Sequence, residues 1–319
     1  MIERDLFGYP ILPEFKILRI PYMGSKNSIA IQLFKRMSDL KPKAKYFVDL
    51  FGGGGSMAFT AHQIGLKVIY NEKQTSLVNF IKYIFDRIKS GERSKFGIFP
   101  EEFYKFVDRE EFIRVKNENS IYGQFVRICY SFGNNQRDYL FGDIESFKKL
   151  GHNIVVYQCK NSLKEFNKVT NSNFVLSNKK TWNERRLDFM RQFSRERRDK
   201  AEELLEQLER LQQLGQLGQL QQLDNIQLFN LDYKDVIINT PPEETIVYLD
   251  PPYRGTEKYL EKGICYDELD NYFRSSLYTC FMSEYNAPFD SVMEIEKRSL
   301  IVNSENSKKY ALEQLYINK

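Results

Sequence analysis

The stretch DLFGGGGSMAF, Asp49–Phe59, decides the predicted fold. It overlaps a short apolar run, residues 45–50, and leads into a segment of helical character, residues 56–64, which a second apolar run, residues 67–70, follows. A strand, a glycine-rich turn, a helix and another strand form the first repeat of a doubly wound α/β sheet. The pattern resumes at residues 225–230 and 245–249, which we predict to be strands.

The glycine run also predicts a ligand site. Glycine lets the backbone approach a ligand closely and adopt positive φ, and the amides of a helix N-terminus face what the loop binds. Glu72 lies 20 residues after Gly52, at the end of the second predicted strand, where a carboxylate can accept hydrogen bonds from both hydroxyls of a ribose. The pattern fits NAD as well as S-adenosylmethionine, and a tight structural turn is the alternative.

A second motif, DPPY from Asp250 to Tyr253, directly follows the apolar run TIVYL. The Asp250 carboxylate and the Pro251 carbonyl can both accept from an exocyclic amine, which directs the nitrogen lone pair towards a methyl donor. Pro251 and Pro252 stiffen the loop, and Tyr253 offers a flat ring to a base that has left the duplex stack. An ordinary strand exit with two prolines is the alternative.

A third motif, PYMGSK from Pro21 to Lys26, precedes a predicted helix at residues 27–37. A turn of small residues that ends in lysine can wrap a cofactor. Lys26 can donate to a carboxylate or to the backbone.

In this order, PYMGSK, the FxGxG pattern within DLFGGGGSMAF, a long intervening region and DPPY resemble the Dam-like class of DNA adenine methyltransferases, particularly phage-borne members. The resemblance favours S-adenosylmethionine over NAD. It implies an α/β, Rossmann-like S-adenosylmethionine-dependent methyltransferase sheet with an inserted target-recognition domain. It also implies direct displacement without a covalent enzyme intermediate, in agreement with the lack of a PCQ-type cysteine motif in the sequence.

The resemblance assigns site residues position by position. The residues that match cofactor-binding positions are Tyr22, Gly24, Lys26, Asp49, Phe51, Gly53, Gly55 and, for the ribose, Glu72. Asp232, in NLDYKD, resembles the acid of the family's Asp-Phe pair beside the cofactor adenine, although Tyr233 takes the aromatic position. The residues that match the catalytic motif are Asp250, Pro251, Pro252 and Tyr253. An aspartate at the start of this motif favours adenine over cytosine.

The middle of the chain is basic. Residues 86–200 carry 24 Lys and Arg against 16 Asp and Glu, a balance of +8 in a chain of net charge +4. Such a region indicates a surface for a polyanion, and a solvated helix face is the alternative.

Two segments of this region predict DNA contacts. YSFGNNQRDYLFG, residues 130–142, resembles the aromatic, Asn- and Gly-rich segment at this position in phage relatives. Its Asn and Gln side chains can pair with base edges and its arginine can reach a phosphate or a guanine, and a turn held by its own Asn side chains is an equal alternative. The cluster KKTWNERRLDFMRQFSRERR, residues 179–198, predicts contacts with the DNA backbone. The expected contact residues are Asn134, Asn135, Gln136, Arg137, Lys179, Lys180, Arg185 and Arg186.

A Leu- and Gln-rich segment separates this region from the end of the chain. Apolar residues recur at every third position from Leu205 to Ile226. Because a helix advances about 100° per residue, a period of three spreads the apolar face around the helix. Gly215 and Gly218 predict that any helix ends or frays there. We predict a low-complexity insertion; a partner-binding helix is the alternative.

Several function classes are excluded. Two histidines, His62 and His152, and four cysteines without a CxxC pair support neither a zinc cluster nor a Ser-His-Asp hydrolase. No run approaches the roughly 18 apolar residues of a membrane-spanning helix, and the N-terminus lacks a secretory pattern. We expect a cytoplasmic protein of a bacterial or phage-infected cell that requires no metal and does not bind membranes.

The predicted organisation is a catalytic S-adenosylmethionine-binding domain of residues 1–85 and 225–319, a target-recognition domain of residues 86–200 and an insertion of residues 201–224. The predicted reaction transfers a methyl group from S-adenosylmethionine to adenine N6 in double-stranded DNA, on a flipped base. The alternatives are an N4-cytosine or RNA amine methyltransferase and a catalytically silent DNA-binding homologue. A cognate restriction nuclease is a candidate partner.

Overall fold

The computed structural model describes residues 18–142, 145–193, 195–254, 264–298 and 310–318. Two compact units divide the chain: the first contains residues 26–78 and 222–319, and the second contains residues 18–25 and 79–221. The N-terminal residues, for which we expect no secretory pattern, lie outside the described residues.

The helices are α1 (Ala30–Leu40), α2 (Ser56–Gln63), α3 (Thr75–Ser90), α4 (Arg109–Val115), α5 (Ile121–Tyr130), α6 (Glu145–Tyr157), α7 (Lys160–Thr170), α8 (Trp182–Arg191), α9 (Arg195–Gln216) and α10 (Tyr266–Ser275). The strands are β1 (Tyr46–Asp49), β2 (Lys67–Asn71), β3 (Ile226–Phe229), β4 (Thr245–Leu249), β5 (Thr279–Glu284), β6 (Asp290–Arg298) and β7 (Tyr310–Ile317). Within the described part of the chain, no helix is both long and apolar enough to cross a membrane.

The strands of the first unit form one sheet in the order β3-β2-β1-β4-β5-β7-β6. The first five strands of the chain pair in parallel, and β7 is antiparallel to both β5 and β6. The strand order reverses between β1 and β4, which is where doubly wound folds bind their ligands. The predicted doubly wound sheet is confirmed, including the strands predicted on both sides of the long intervening region.

Burial explains why these segments form the sheet. All five residues of β4 are buried, as are the last three of β1 and the last four of β2, which is typical of central parallel strands covered on both faces. α1 buries Ala30, Leu33, Phe34 and Met37, spaced so that they lie on one face of the helix. The helix predicted at residues 27–37 and the predicted strands are therefore found, and their buried residues show why they form.

The second unit is helical, and α9 is part of its core. Leu204, Leu208, Leu211 and Leu214 are buried, and Gln207 Oε1 lies 3.2 Å from Nδ1 of the buried His152. The segment that we predicted to be a low-complexity insertion therefore forms part of a packed helix, and its origin as an insertion stays a prediction. The packed leucines follow ordinary helical spacing, and the helix gives way to a 3-10 turn at Leu217, where three residues per turn suit a period of three. The helix ends at Gln216, between Gly215 and Gly218, where we predicted that a helix would end or fray.

The boundaries of the units differ from those that we predicted. Residues 79–85 and 201–221 belong to the helical unit, and so do residues 18–25, which contain most of the PYMGSK motif. Residues 86–200, the basic region, lie within this unit, and its ends depend on which helices pack together.

Candidate active site

Two loops leave neighbouring strands at the point where the strand order reverses. The glycine loop follows β1 and the DPPY loop follows β4, and the two strands pair in parallel with Asp49 opposite Tyr248. The Leu50 amide donates to the Tyr248 carbonyl at 3.0 Å, which extends the pairing into the glycine loop. Because the carboxyl ends of parallel strands meet at one edge of a sheet, both motifs lie at the same crevice.

The glycine loop requires glycines for two reasons. Gly53 and Gly55 have φ angles of +47° and +77°, in the left-handed region that favours glycine. A Cβ atom on Gly52 would lie 2.1 Å from the Tyr70 ring, so packing excludes a side chain there. The Tyr70 hydroxyl donates to the Gly53 carbonyl at 2.7 Å, and Gly55 is the N-cap of α2. The loop backbone is thereby fixed beside the N-terminus of a helix.

Glu72, directly after β2, braces this loop. Its Oε2 atom accepts from the Gly53 amide at 2.8 Å, and Oε1 accepts from the Gln74 amide at 2.8 Å. Glu72 therefore positions the glycine loop and places a carboxylate beside it.

Asp49 ends β1 and is only 1% exposed. Burial, reinforced by the charge of Asp250, raises the pKa of the Asp49 carboxyl well above its ordinary value, although a hydrogen bond from the Phe51 amide opposes the shift. Its Oδ1 atom accepts no hydrogen bond from the residues that the structure describes. A buried acceptor without a donor is unfavourable, so this position fits a ligand that brings a cationic or hydrogen-bonding group.

The Asp250 carboxylate is part of a network with Lys26. Lys26 Nζ lies 2.6 Å from Asp250 Oδ1 and 3.4 Å from Glu313 Oε1, on β7. The Tyr253 hydroxyl donates to the same Glu313 oxygen at 2.9 Å. Lys26 and Glu313 are each 2% exposed, so these interactions are poorly screened by solvent.

These contacts agree with the expectation that Lys26 donates to a carboxylate, because its ammonium contacts the carboxylate of the DPPY motif. Cofactor contact by Lys26 stays a prediction. A buried ammonium requires an anionic partner, and among the described residues Asp250 and Glu313 are carboxylates paired with it.

The Tyr253 ring is covered in this structure. Lys26 Nζ lies 4.9 Å from the ring centroid, and the Tyr285 ring packs against it at 4.5 Å between centroids. Burial raises the pKa of the Tyr253 phenol well above its ordinary value. The Tyr266 hydroxyl donates to the Pro252 carbonyl at 2.8 Å and so fixes the loop from α10. The flat ring that we predicted to be available for a base is thus available only once a covering side chain moves.

Asp232 lies at the end of β3, beside the other strand ends. Its carboxylate forms an ion pair with Lys73 at 3.2 Å and accepts from the Lys234 amide at 3.3 Å. Although partial burial raises the pKa of Asp232, these hydrogen bonds and charges lower it overall. The Tyr233 ring packs on Phe51 of the glycine loop, with 5.2 Å between centroids. Tyr233 therefore supports the glycine loop from the β3 side.

The sequence profile of the D12 class N6 adenine-specific DNA methyltransferase family matches residues 22–316. The chain belongs to this family. It is an adenine-specific DNA methyltransferase with the S-adenosylmethionine-dependent methyltransferase fold, so the predicted resemblance is confirmed and the NAD alternative is excluded. No curated protein sequence matches the chain.

The remaining cofactor residues predicted for this methyltransferase, Tyr22 and Gly24, lie in a turn of the helical unit. The Ser25 amide donates to the Tyr22 carbonyl at 3.4 Å, and Gly24 has a φ of +80°. The predicted turn is present, while cofactor contact by these residues stays a prediction.

The Asn-rich segment of the D12 methyltransferase forms a polar turn. Asn135 Oδ1 accepts from the Arg137 and Asp138 amides at 2.9 and 3.0 Å, as in the alternative that we considered. Gln136 is 7% exposed and its Oε1 accepts from Gln124, so we correct the expectation that it contacts a base. Arg137 is exposed, and Asn134 is half-buried. Their DNA contacts stay predictions.

The basic cluster divides into surface and interior residues. Lys179 and Lys180 are exposed, whereas Arg185 and Arg186 are 7% and 8% exposed. Arg185 donates to the carbonyls of Val155 and Val156 and to those of both lysines, and Arg186 donates to Gln212. We therefore correct the expectation that these arginines contact DNA, because their guanidinium groups join helices of the core. The side chains of residues 195–198 lie outside the described ones.

Two residues of the site escaped sequence reasoning. The Asn71 amide is buried and donates to the Leu50 and Leu231 carbonyls at 3.0 and 3.1 Å, which joins the ends of three strands. Glu313 is a buried acid within the apolar strand β7, and that pattern was its one signal in the sequence. Across the described residues, no group of three or more His, Cys, Asp or Glu side chains could hold a metal ion.

Proposed function

We propose that the methyltransferase binds S-adenosylmethionine at the glycine loop and methylates N6 of an adenine extruded from double-stranded DNA. One observation carries this proposal: Asp49 ends β1 and Asp250 directly follows the adjacent strand β4. Asp49 has a buried oxygen, Oδ1, that accepts no hydrogen bond from the described residues, and Asp250 is paired with Lys26, whose ammonium lies over the Tyr253 ring. The first suits a cationic cofactor and the second suits an amine.

Within this proposal, the chain's residues hold the cofactor from three strand ends. Asp49 accepts from its ammonium group, the Phe51, Gly53 and Gly55 loop surrounds its methionine end, and Glu72 accepts from its ribose hydroxyls. Asp232 contacts the adenine side of the cofactor. When bound, S-adenosylmethionine supplies an electrophilic methyl group.

The DPPY loop orients the target amine. N6 of adenine donates to Asp250 and to the Pro251 carbonyl, which draws the nitrogen lone pair out of conjugation and towards the methyl donor. The two prolines hold these acceptors in place before the base arrives, and Tyr253 stacks on it. No covalent bond to the enzyme is required. Exposed cations such as Arg137, Lys179 and Lys180 bind the phosphate backbone.

The nature of the product tests the proposal. Protein is incubated with S-adenosylmethionine labelled in its methyl group and with double-stranded DNA of mixed sequence, and the DNA is digested to nucleosides. We expect the label in N6-methyldeoxyadenosine. Label in N4-methyldeoxycytidine, label in RNA alone, or no transfer would each contradict it.

A further inference from the structure

Lys26 already makes the contacts proposed for the target amine. Its ammonium lies 2.6 Å from Asp250 Oδ1 and 4.9 Å from the centroid of the Tyr253 ring. The adenine amine needs the same carboxylate, on a base stacked on the same ring. Lys26 and the substrate therefore compete for Asp250, an inference that rests on the proposed function.

The competition raises an electrostatic problem. Lys26 is buried, and an ammonium that loses its anion without leaving the protein interior is strongly destabilised. Binding of the base is favourable only if the ammonium finds a second anion within a short movement. Glu313 Oε1 already lies 3.4 Å from Nζ, longer than the contact with Asp250.

The sheet explains why Glu313 lies there. β7 is antiparallel to β5, and its Gln314 pairs with Glu284, the last residue of β5. Glu313, one residue beyond this pair, thus lies at the carboxyl edge of the parallel strands, the edge that also carries Asp250. Its Oε1 atom is held by the Tyr253 hydroxyl at 2.9 Å.

We propose that Glu313 is a positioning residue that receives the Lys26 ammonium when the target amine takes its place on Asp250. Lys26 keeps Asp250 and Tyr253 ordered while no base is bound, and Glu313 keeps Lys26 paired once the base is bound. The ammonium stays in an ion pair throughout, and no proton is transferred to or from it.

A double-mutant cycle tests this exchange. Glu313→Gln keeps the size of the side chain and an acceptor for Tyr253 but removes the charge. We expect it to lower kcat/KM for DNA by on the order of tenfold or more, with the dissociation constant for S-adenosylmethionine, measured by calorimetry, within about twofold of wild type. In a Lys26→Met background, the same substitution should cost less than about twofold, because no ammonium remains to be received. Glu294→Gln, an exposed acid on β6, is the matched control.

The outcomes separate the proposals. Full activity of Glu313→Gln, or an equal loss in both backgrounds, overturns the exchange, because a residue that supports only folding or Tyr253 acts independently of Lys26. If the Gln variant does not fold, Glu313→Asp, with a shorter carboxylate, is compared in the two backgrounds by the same criterion. Failure of the wild-type enzyme to methylate adenine contradicts the proposed function instead.

Discussion

The Glu72 carboxylate accepts a hydrogen bond from the Gly53 amide at 2.8 Å, which ties the acid after β2 to the glycine loop after β1. The two residues lie 19 positions apart in the chain and act as one unit of the proposed cofactor site. Any change in Glu72 is therefore expected to alter both the loop and the ligand that the loop binds.

Glu72→Ala is expected to weaken S-adenosylmethionine binding by about tenfold or more, because the ribose loses its acceptor and the glycine loop loses its brace. The loss of two part-buried hydrogen bonds should also lower the free energy of unfolding by about 1–3 kcal/mol. Calorimetry and urea denaturation measure the two effects. Glu243→Ala, at an exposed site, is the control, and equal cofactor affinity in Glu72→Ala and wild type would contradict the role of Glu72.

Asn71→Ala is expected to lower the free energy of unfolding by about 2–3 kcal/mol, since it leaves the carbonyls of Leu50 and Leu231 and the Leu231 amide without a buried partner. Urea denaturation measures this loss. The exposed Asn239→Ala should change stability by less than about 0.5 kcal/mol, and a similar small change at Asn71 would show that the strand ends do not depend on it.

We expect cofactor binding to depend on pH because the pKa of the buried Asp49 carboxyl is raised. Burial raises the pKa of its carboxyl above the ordinary value of 3.8, so the free protein holds a proton there over a pH range in which an exposed aspartate is ionised. The preference for the protonated carboxyl stabilises the folded protein fully below the ordinary pKa of 3.8. This stabilisation is lost as the pH rises through the higher pKa of the folded protein. A cationic ligand favours the ionised form, so S-adenosylmethionine binding should release protons and tighten with rising pH.

Calorimetry in buffers of different ionisation enthalpy counts the released protons. Asp49→Asn cannot ionise, so it should bind the cofactor more weakly and without this proton release. Proton release of the same size in wild type and Asp49→Asn would exclude Asp49 as its source.

The exposed and buried cations of the basic region should respond differently to substitution. Lys179→Ala combined with Lys180→Ala is expected to weaken DNA binding and to reduce the steepness of its salt dependence by about one to two charges, with stability unchanged. Arg185→Ala should instead lower stability by about 2–4 kcal/mol, because four backbone carbonyls lose their donor. Binding titrations at several salt concentrations test this, with the exposed Lys43→Ala as control. Unchanged salt dependence in the double variant would remove these lysines from the DNA interface.

The sequence predicted the parts of the molecule whose pattern is local. The apolar runs at β1, β2 and β4 and the glycines between β1 and α2 specified the centre of the sheet, and the DPPY motif marked the loop that follows β4. The helical unit was less predictable, because Arg185 looks like a surface cation until α6 supplies carbonyls for it. Asn71 contacts Leu231 and Glu313 contacts Lys26, each more than a hundred positions away in the chain, and no local pattern records such contacts.

The proposed reaction depends most on Asp250, whose carboxylate orients the target amine. Asp250→Asn keeps the shape of the side chain but replaces a charged acceptor with an amide, which weakens the hydrogen bond from N6 and leaves Lys26 with Glu313 alone among its paired carboxylates. The exposed Asp267→Asn on α10 is the matched control and should remain active.

The most direct measurement is the amount of N6-methyldeoxyadenosine formed from labelled S-adenosylmethionine by wild type and by Asp250→Asn. We expect label in this nucleoside with the wild-type enzyme, and a rate lower by on the order of a thousandfold with Asp250→Asn, while the variant still binds the cofactor. Near-wild-type transfer by Asp250→Asn would show that the amine is not oriented by this carboxylate.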